Sequence, residues 1–275
     1  MTRFVFRLGV VFAVLVLTPP ARAMFEENES GIRAEGMGGA FTAVADDATA
    51  LDFNPAGLFQ VERAQGVVFG KLLYGGVDVG LHTAHVGGCV PVSGAGTIGL
   101  RLQETGYSLS SERSLKVGHG VRLGDGLAFG YGLNGYNLSQ KDFGQGYAFG
   151  LDLAMFARLY SIWTLGFYAH NINLPRMADS DLPRLLVFGL GFSPAPGVNS
   201  ALDISKEPGQ PTRGAVGQEF RIVEDYLILR AGVQTEPIRL AFGLRTGLTH
   251  LHLDYALKTH PELPLTHDVG LTVEF

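Results

Sequence analysis

The sequence predicts an all-β fold, an antiparallel transmembrane β-barrel of about fourteen strands. The chain starts with a secretory signal, and from Gly66 to the end its apolar residues alternate with glycine or charged residues. Glycine supplies 38 of the 275 residues, and the 46% of hydrophobic residues are dispersed along the chain. No apolar run after residue 23 approaches the length of a membrane helix, so strands are the favoured way to span a membrane.

The first predicted element is a secretory signal peptide, residues 1–23. Arg3 and Arg7 precede an apolar run of about ten residues, and Ala21-Arg22-Ala23 has the small-residue pattern of a cleavage site. The run is too short to span a bilayer as a helix, although an uncleaved anchor is the alternative. We expect the mature chain to begin near Met24 after export.

Charge and cysteine content exclude several classes of protein. The formal net charge is −5, and loss of the three signal-peptide arginines lowers it by 3 to −8. An acidic chain without a basic patch does not predict a nucleic-acid partner. Cys89 is the only cysteine, so no disulfide can form within the chain.

The segment between the signal and the strands, residues 24–64, is the second predicted element. It is rich in small and polar residues, which suits tight backbone packing in a confined space but not contact with lipid. Asp46 and Asp47 are expected to cap a helix or turn, with a cation site as the alternative. We expect the segment to pack in such a space, with its motif at Gly36, Met37, Gly38, Gly39, Asp46, Asp47, Asn54, Pro55, Ala56 and Gly57.

Residues 65–275 are the predicted barrel, and the last strand shows the two-residue period most clearly. Its apolar residues fall on one face, and Asp268, Gly270, Thr272 and Glu274 fall on the other. Two weaker candidates, 66–74 and 201–205, raise the count from twelve strands to fourteen. The other predicted strands are 77–83, 98–102, 115–123, 127–133, 147–155, 163–167, 186–192, 216–222, 227–233, 239–245 and 251–258.

The polar faces of these strands distinguish a membrane barrel from a soluble β-sandwich, which also alternates. Glycines recur in pairs on the polar face, as at 118 and 120, 130 and 132, and 189 and 191. A solvated sandwich face does not need them, whereas a crowded lumen does. The predicted connections are alternately brief and long, as expected if both termini lie on the periplasmic side.

Charged residues of both signs are predicted to face the lumen. They could line a channel. The favoured interpretation is that they hold the N-terminal segment, residues 24–64, through ion pairs. No catalytic motif appears, so we expect no enzyme activity, no cofactor and no metal site. The candidates are Arg101, Arg122, Asp152, Arg158, Glu219, Arg221, Arg230, Arg239, Arg245 and Asp254.

The run from Gly31 to Leu58, GIRAEGMGGAFTAVADDATALDFNPAGL, resembles the FadL-like superfamily of outer-membrane barrels, most closely its shorter PorV/PorQ-type members. The ending Asp268-x-Gly270-x-x-Val273-x-Phe275 is similar to the signal read by the outer-membrane assembly machinery, with Gly270 and Phe275 as its main residues. The resemblance implies a fourteen-stranded barrel in the outer membrane. It also implies that residues 24–64 form an N-terminal hatch, or plug, inside the barrel lumen.

The same resemblance implies two alternative functions. The transporter branch passes long-chain fatty acids or other small hydrophobic molecules, whereas PorV-type members act as scaffolds for secreted proteins. Transporters of this superfamily have extended outer loops that form an apolar capture site. The longest predicted loop here, 171–183, carries Arg176, Asp179 and Asp181 instead. Passage of small hydrophobic compounds is the first hypothesis, and the expected partners are outer-membrane lipid, the assembly machinery, and either such compounds or secreted proteins.

Overall fold

A closed antiparallel barrel of fourteen strands forms the body of the molecule. The structure is a computed structural model that describes residues 25, 30–75, 80–223 and 226–275. The first strand pairs with the second on one side and with the last on the other, so the barrel has no free edge. The predicted fold class and strand number are confirmed. The predicted signal peptide lies outside the described residues.

The strands take their bounds from the alternation in the sequence. A separate two-stranded hairpin, β8 (Arg176–Met177) and β9 (Ser180–Asp181), lies in the loop between β7 and β10. The barrel strands are β1 (Gln65–Leu72), β2 (His82–Val92), β3 (Gly96–Tyr107), β4 (Ser110–Gly124), β5 (Leu127–Gln140), β6 (Gly144–Leu159), β7 (Trp163–His170), β10 (Leu185–Ala195), β11 (Val198–Lys206), β12 (Arg213–Val223), β13 (Leu227–Gln234), β14 (Arg239–Leu248), β15 (Leu251–Lys258) and β16 (Thr266–Glu274).

One predicted strand was misplaced. The sequence favoured residues 77–83, but β2 runs from His82 to Val92, and residues 76–79 lie outside the described part of the chain. The outward positions of β2 include Ala84 and Gly88, which weaken its apolar period. Pairing with β1 and β3 along the whole strand compensates for that weak local pattern.

Short connections gather at one end of the barrel and longer ones at the other. At the end that holds Phe275, the connections such as 125–126 and 249–250 have two or three residues. The opposite end carries the longer loops, among them 171–184, 207–212 and 259–265. Outer-membrane barrels keep short turns on the periplasmic side, so we call these the periplasmic and outer ends.

The two faces of each strand meet different environments. Outward-facing Val86, Leu102, Phe188 and Leu240 each keep about half of their surface exposed, while inward-facing neighbours are buried. An apolar exterior on a closed barrel is the surface that lipid requires. In the described part of the chain, no helix is long and apolar enough to cross a membrane.

Residues 30–64 pack against the inward faces of the strands. They form two short helices, α1 (Ile32–Gly36) and α2 (Ala50–Phe53), followed by a 3-10 helix at Pro55–Gln60. Helices this short gain little stability by themselves, so tertiary contacts must hold them. Their apolar residues form a buried cluster with inward-facing residues of β1, β2, β11, β12 and β15.

Candidate functional site

The turn formed by residues 36–39 rests directly on the backbone of three neighbouring strands. Gly38 and Gly39 have positive φ angles, +69° and +87°, which only glycine adopts without strain. A Cβ on Gly217 would lie 2.5 Å from the Met37 carbonyl oxygen, and a Cβ on Gly232 would overlap the Met37 backbone. The glycines of this face therefore provide room for the turn.

The opposite side of the segment packs through both backbone and side chains, because a Cβ on Gly130 would lie 2.2 Å from the Ala56 nitrogen and one on Gly120 would lie 2.5 Å from the Pro55 carbonyl oxygen. The ends of Leu51 and Leu58 lie 3.3 Å from where a Cβ on Gly99 would stand. Asn54 organises the local turn, because its Nδ2 donates to the Thr42 carbonyl (2.7 Å) and its Oδ1 accepts from the Ala56 N–H (3.1 Å). Pro55 then starts the 3-10 helix, and Gly57 lies against the Ala45 carbonyl, where a side chain would clash.

Arg33 is the centre of one group of ion pairs. Its Nε and Nη2 donate to both carboxylate oxygens of Glu219, at 2.8 and 2.9 Å, and its Nη1 contacts Asp46 and Asp47. Asp47 also accepts from the Thr49 N–H (2.9 Å), which is the turn-capping role expected from the sequence. Bidentate pairing of this kind gives geometric precision as well as energy.

Two arginines of the barrel wall extend this group. Arg230 joins Glu219 to Asp254, at 2.8 and 3.0 Å. Arg245 pairs with the same Asp254 at 2.8 Å. The charges of β12 to β15 thereby form a connected network beneath residues 33–47.

A second group of ion pairs joins α1 to β1 and β15. Glu35 accepts from Lys71 at 2.5 Å and contacts Lys258. Burial raises the pKa of Glu35, but the two ammonium groups outweigh burial and lower it to about 2. Glu35 is therefore ionised over the physiological pH range, and α1 is held between two strands.

Two further carboxylates connect the segment to the wall. The buried Asp52 lies 3.1 Å from Arg101 Nε; burial raises the pKa of Asp52, and Arg101 opposes that shift. Asp203 Oδ2 accepts from the N–H groups of Phe41 and Thr42, at 3.0 and 2.9 Å. Breaking one buried pair by removing a partner typically costs about 3–5 kcal/mol, so these contacts hold the segment in place.

Lys116 and Asp152 belong to a separate buried network in the wall. They pair at 2.7 Å, and Asp152 also binds His170 Nδ1 (2.8 Å) and the hydroxyl of Tyr168 (2.8 Å). The Asn171 N–H donates to Asp152 at 2.9 Å. This network secures the start of the long outer loop 171–184.

The structure separates the predicted lumen residues by depth. Arg101, Asp152, Glu219, Arg230 and Asp254 are buried in the lumen, and Arg239 and Arg245 are half-buried. Three others, Arg122, Arg158 and Arg221, lie exposed at the periplasmic ends of their strands.

Sequence reasoning did not include Lys71, Asp203, Tyr168 and His170 among the site residues. Lys71 and Asp203 occupy inward positions of their strands, so the two-residue period of β1 and β11 was the signal that could have found them. The two residues of the assembly motif differ in placement. Gly270 faces inward against Phe69, whereas Phe275 is 76% exposed and donates its N–H to the Ala64 carbonyl at 2.9 Å.

An apolar cluster lies at the outer end of the lumen under loop 171–184. Phe25 is 3% exposed and packs edge-on against Tyr136, with 5.0 Å between ring centroids. The Phe25 N–H donates to Glu112 at 2.8 Å. The other buried members are Leu138, Met177 and Leu182.

An apolar hollow of about 730 Å³ lies across β1 to β6. Outward-facing Val68, Val86 and Leu102, each about half exposed, contribute to its lining. The inward-facing residues at its border, such as His85 and Gln103, are buried, so the hollow lies on the outer face of the wall, where the exposed ion pair of Glu104 and Arg113 (3.2 Å) also borders it. The strand pairing behind it is continuous from β1 to β6.

Within the described ranges, no three His, Cys, Asp or Glu side chains converge as a metal site would require.

Comparison with known proteins identifies the architecture. The sequence matches no protein-family model and no curated protein. A FadL homologue from Pseudomonas aeruginosa has a similar structure (TM-score 0.64, 13% identity, 92% of this chain and 100% of that chain). So do the toluene transporters TbuX of Ralstonia pickettii (0.68, 13%, 92% and 100%) and TodX of Pseudomonas putida (0.65, 12%, 92% and 99%).

These neighbours share a fold with the chain at low sequence identity. Together with the closed barrel and its apolar exterior, they establish that the chain is an outer-membrane β-barrel of FadL-like architecture. The predicted location in the outer membrane is confirmed.

Proposed function

We propose that the chain passes small hydrophobic compounds across the outer membrane. The observation that carries this proposal is the hollow of about 730 Å³, which has the size of a ligand-binding cavity and a mostly apolar lining. An apolar solute that moves from water into this hollow gains about 25 cal/mol for each Å² of its own apolar surface that is removed from water.

The position of the hollow relative to the lumen supports the proposal. Tyr136 borders the hollow and also belongs to the buried apolar cluster at the outer end of the lumen. Apolar surface is thus present on both sides of the β5 strand. The lower lumen is charged and filled by residues 30–64, so it offers an apolar solute no comparable environment.

Residues 24–64 act in this proposal as the hatch that controls passage, after removal of residues 1–23 as a signal peptide. Ion pairs and glycine contacts hold the described part of this hatch. Opening therefore requires that contacts with solvent or solute replace these contacts with the wall. Gly270 and Phe275 serve as the signal for the outer-membrane assembly machinery, and lipid surrounds the wall.

A PorV-like scaffold for secreted proteins is the second function consistent with the sequence resemblance. It would use the outer loops as a protein-binding surface. No contact in the described loops favours the scaffold function over passage. The experiment must therefore distinguish the two functions.

The uptake of radiolabelled toluene by cells with and without the protein tests the proposal. Gly135 faces the hollow, and a Cβ at this position would meet nothing within 4 Å. The Gly135→Leu variant therefore fills the hollow without disturbing the lumen. Gly214→Leu is the matched control, since a Cβ there makes an ordinary contact of 3.6 Å with Thr235.

We expect the wild-type protein to accelerate toluene uptake, Gly135→Leu to abolish most of the acceleration, and Gly214→Leu to retain it. Equal uptake with and without the protein contradicts the proposal. If, in addition, a secreted protein copurifies specifically with the barrel, the scaffold function replaces it.

A further inference from the structure

The outer loop 171–184 covers the apolar cluster at the outer end of the lumen. Met177 and Leu182, each 2% exposed, are the residues that the loop contributes to this cluster, where they join Tyr136 and Leu138 of β5. The loop folds back on itself through the short hairpin of β8 and β9. Any change that moves this loop therefore uncovers the lumen from the outer side.

Asn171 holds the two ends of the loop together. Its N–H donates to Asp152 at 2.9 Å, and its Nδ2 donates to the carbonyl of Pro183, at the far end of the loop, at 2.8 Å. Its Oδ1 accepts from the hydroxyl of Tyr136 at 3.0 Å. Because Asp152 accepts the first of these bonds, the position of its carboxylate determines where the loop begins.

The hydroxyl of Tyr168 fixes that carboxylate. It donates to Asp152 Oδ2 and accepts from Lys116 Nζ, both at 2.8 Å. Lys116 also pairs directly with Asp152 at 2.7 Å, and all three side chains are at most 2% exposed. Charge-assisted bonds in such a water-free interior are strong, and the members of a network depend on one another. A single hydroxyl group therefore acts on the loop through Asp152.

The ring of Tyr168 lies at the boundary with residues 30–64. It belongs to the buried cluster that includes Ala56 of the 3-10 helix. It also borders a void of about 20 Å³ whose lining includes Thr42 and Phe53. The same strand, β7, contacts the segment two positions earlier, where a Cβ on Gly166 would lie 2.4 Å from the Thr42 carbonyl oxygen. One rigid side chain thus connects residues 30–64 to the network that holds the outer loop.

We propose that Tyr168 couples residues 30–64 to the outer loop, so that the two open together. When residues 30–64 leave the wall, the ring loses its packing and the hydroxyl moves away from Asp152. Asn171 then loses its fixed acceptor, and the loop opens. A coupling free energy between two sites is reciprocal, so opening the loop also loosens residues 30–64. Tyr168 is a positioning residue, and its role goes beyond the passage of hydrophobic compounds because it requires no solute.

Two reporters present in the native chain allow a test on the purified full-length barrel in detergent. Cys89 is 2% exposed and belongs to the buried cluster with residues 30–64, so its alkylation rate reports the displacement of that segment. Arg176 and Arg184 are trypsin sites within the loop, and the rate of cleavage there follows the open fraction of the loop. Mass spectrometry of the fragments identifies the cleaved bond.

The variants displace each partner separately. Gly232→Ala and Arg33→Gln act on residues 30–64 from the side of β12 to β14, and Asn171→Ala acts on the loop. Each is made in the wild type and in Tyr168→Phe, which keeps the ring and removes the hydroxyl. Tyr255→Phe is the matched control, since it removes a hydroxyl whose 2.8 Å hydrogen bond joins β15 to β16. Heat-modifiable gel migration verifies that each variant is folded.

We expect Gly232→Ala and Arg33→Gln to accelerate both Cys89 alkylation and loop cleavage, each by about tenfold, as loss of one hydrogen bond to a charged group predicts. Asn171→Ala should likewise accelerate both rates. In the Tyr168→Phe background, each variant should change only the reporter of the part that it displaces. Tyr255→Phe should leave the coupling intact.

Two results overturn the proposal. The first is a variant that accelerates one reporter while the other stays at its wild-type rate in the presence of Tyr168. The second is coupling of the same size in Tyr168→Phe as in the wild type. Asn171→Ala decides the matter by itself if neither change on the other side displaces residues 30–64. These rates are measured without toluene, so they test the coupling separately from passage.

Discussion

The two sides of the lumen differ at the outer end. On the side of β4 to β6, the ring of Phe25 packs among Tyr136, Leu138, Met177 and Leu182, all of them buried. On the side of β12 to β14 lies a polar cavity of about 240 Å³, the vestibule, whose lining includes Arg213, Gln234 and Arg239. One side is filled by packed apolar side chains, and the other encloses a small polar space.

Residues 30–64 contact the wall in two different ways. Their backbone lies against the wall backbone at Met37, beside β12 to β14, and again at Pro55 and Ala56, beside β4 and β5, whereas the ends of Leu51 and Leu58 contact Gly99 of β3. Backbone contacts tolerate little displacement, while side-chain ends can shift. This difference teaches that the segment is held rigidly at the two backbone contacts and more adaptably at Gly99.

The largest expected effect on permeability comes from changing the wall beneath the Met37 turn. Gly232→Ala places a Cβ into the Met37 backbone, so residues 30–64 should leave their position. Overpacking of about 1–3 kcal/mol corresponds to a rise of about tenfold or more in the open fraction. Liposome swelling with a small sugar measures the resulting permeability.

Gly99→Ala is the matched change at a contact made by side chains. Its nearest atoms are the Leu51 and Leu58 side-chain ends at 3.3 Å, which can give way. We expect permeability close to wild type. A similar rise in permeability for both variants would show that the two kinds of contact are equally rigid.

Truncation at the outer end should destabilise the two sides unequally. Met177→Ala removes a side chain that is 2% exposed, and we expect a loss of about 2–5 kcal/mol in the free energy of unfolding. Gln234→Ala removes an amide without a partner among the described residues, and the loss should stay below about 1 kcal/mol. Urea unfolding followed by gel migration measures both losses. Equal losses would contradict the difference between a packed side and a polar side of the lumen.

Acid should loosen the contact of Glu35 at the vestibule. Because the pKa of Glu35 is lowered from its ordinary value of 4.5 to about 2, its contribution to stability is present above 4.5 and disappears as pH falls towards 2. Thermal unfolding from pH 6 to pH 2 measures this dependence. Glu35→Gln should lose part of the acid dependence, and an unchanged profile would contradict the role of the two lysines.

The smallest effect is expected at the periplasmic rim, away from both sides of the hatch. Arg122 and Asp125 are exposed and 3.8 Å apart, so Asp125→Ala should change stability by less than about 0.5 kcal/mol. A larger loss of stability in urea unfolding would mean that the rim helps to hold residues 30–64 against the wall.

The strands were predictable because their two faces meet lipid and a crowded lumen. Two-residue patterns such as that of β16 need only local sequence, whereas β2 depends on its pairing with β1 and β3. The connection between the predicted strands 127–133 and 147–155 shrinks to residues 141–143, because the polar ends of β5 and β6 continue the ladder past the apolar band.

The partners within the lumen were not predictable to the same degree. Arg33 and Glu219 are 186 residues apart, and Phe41 and Asp203 are 162 apart. Alternation indicates which side chains face inward, but the position of the hatch decides which of them meet. The vestibule also requires the outer loops, whose shape no periodic pattern specifies.

The alkylation rate of Cys89 tests most directly whether solute opens the hatch. This is the only cysteine in the chain, it is 2% exposed, and it belongs to the buried cluster that includes hatch residues. Gly232→Ala provides the reference for a displaced hatch. Our account predicts that toluene accelerates alkylation of wild-type Cys89 by a small thiol reagent towards that reference; a wild-type rate that toluene leaves unchanged, while Gly232→Ala reacts quickly, would contradict it.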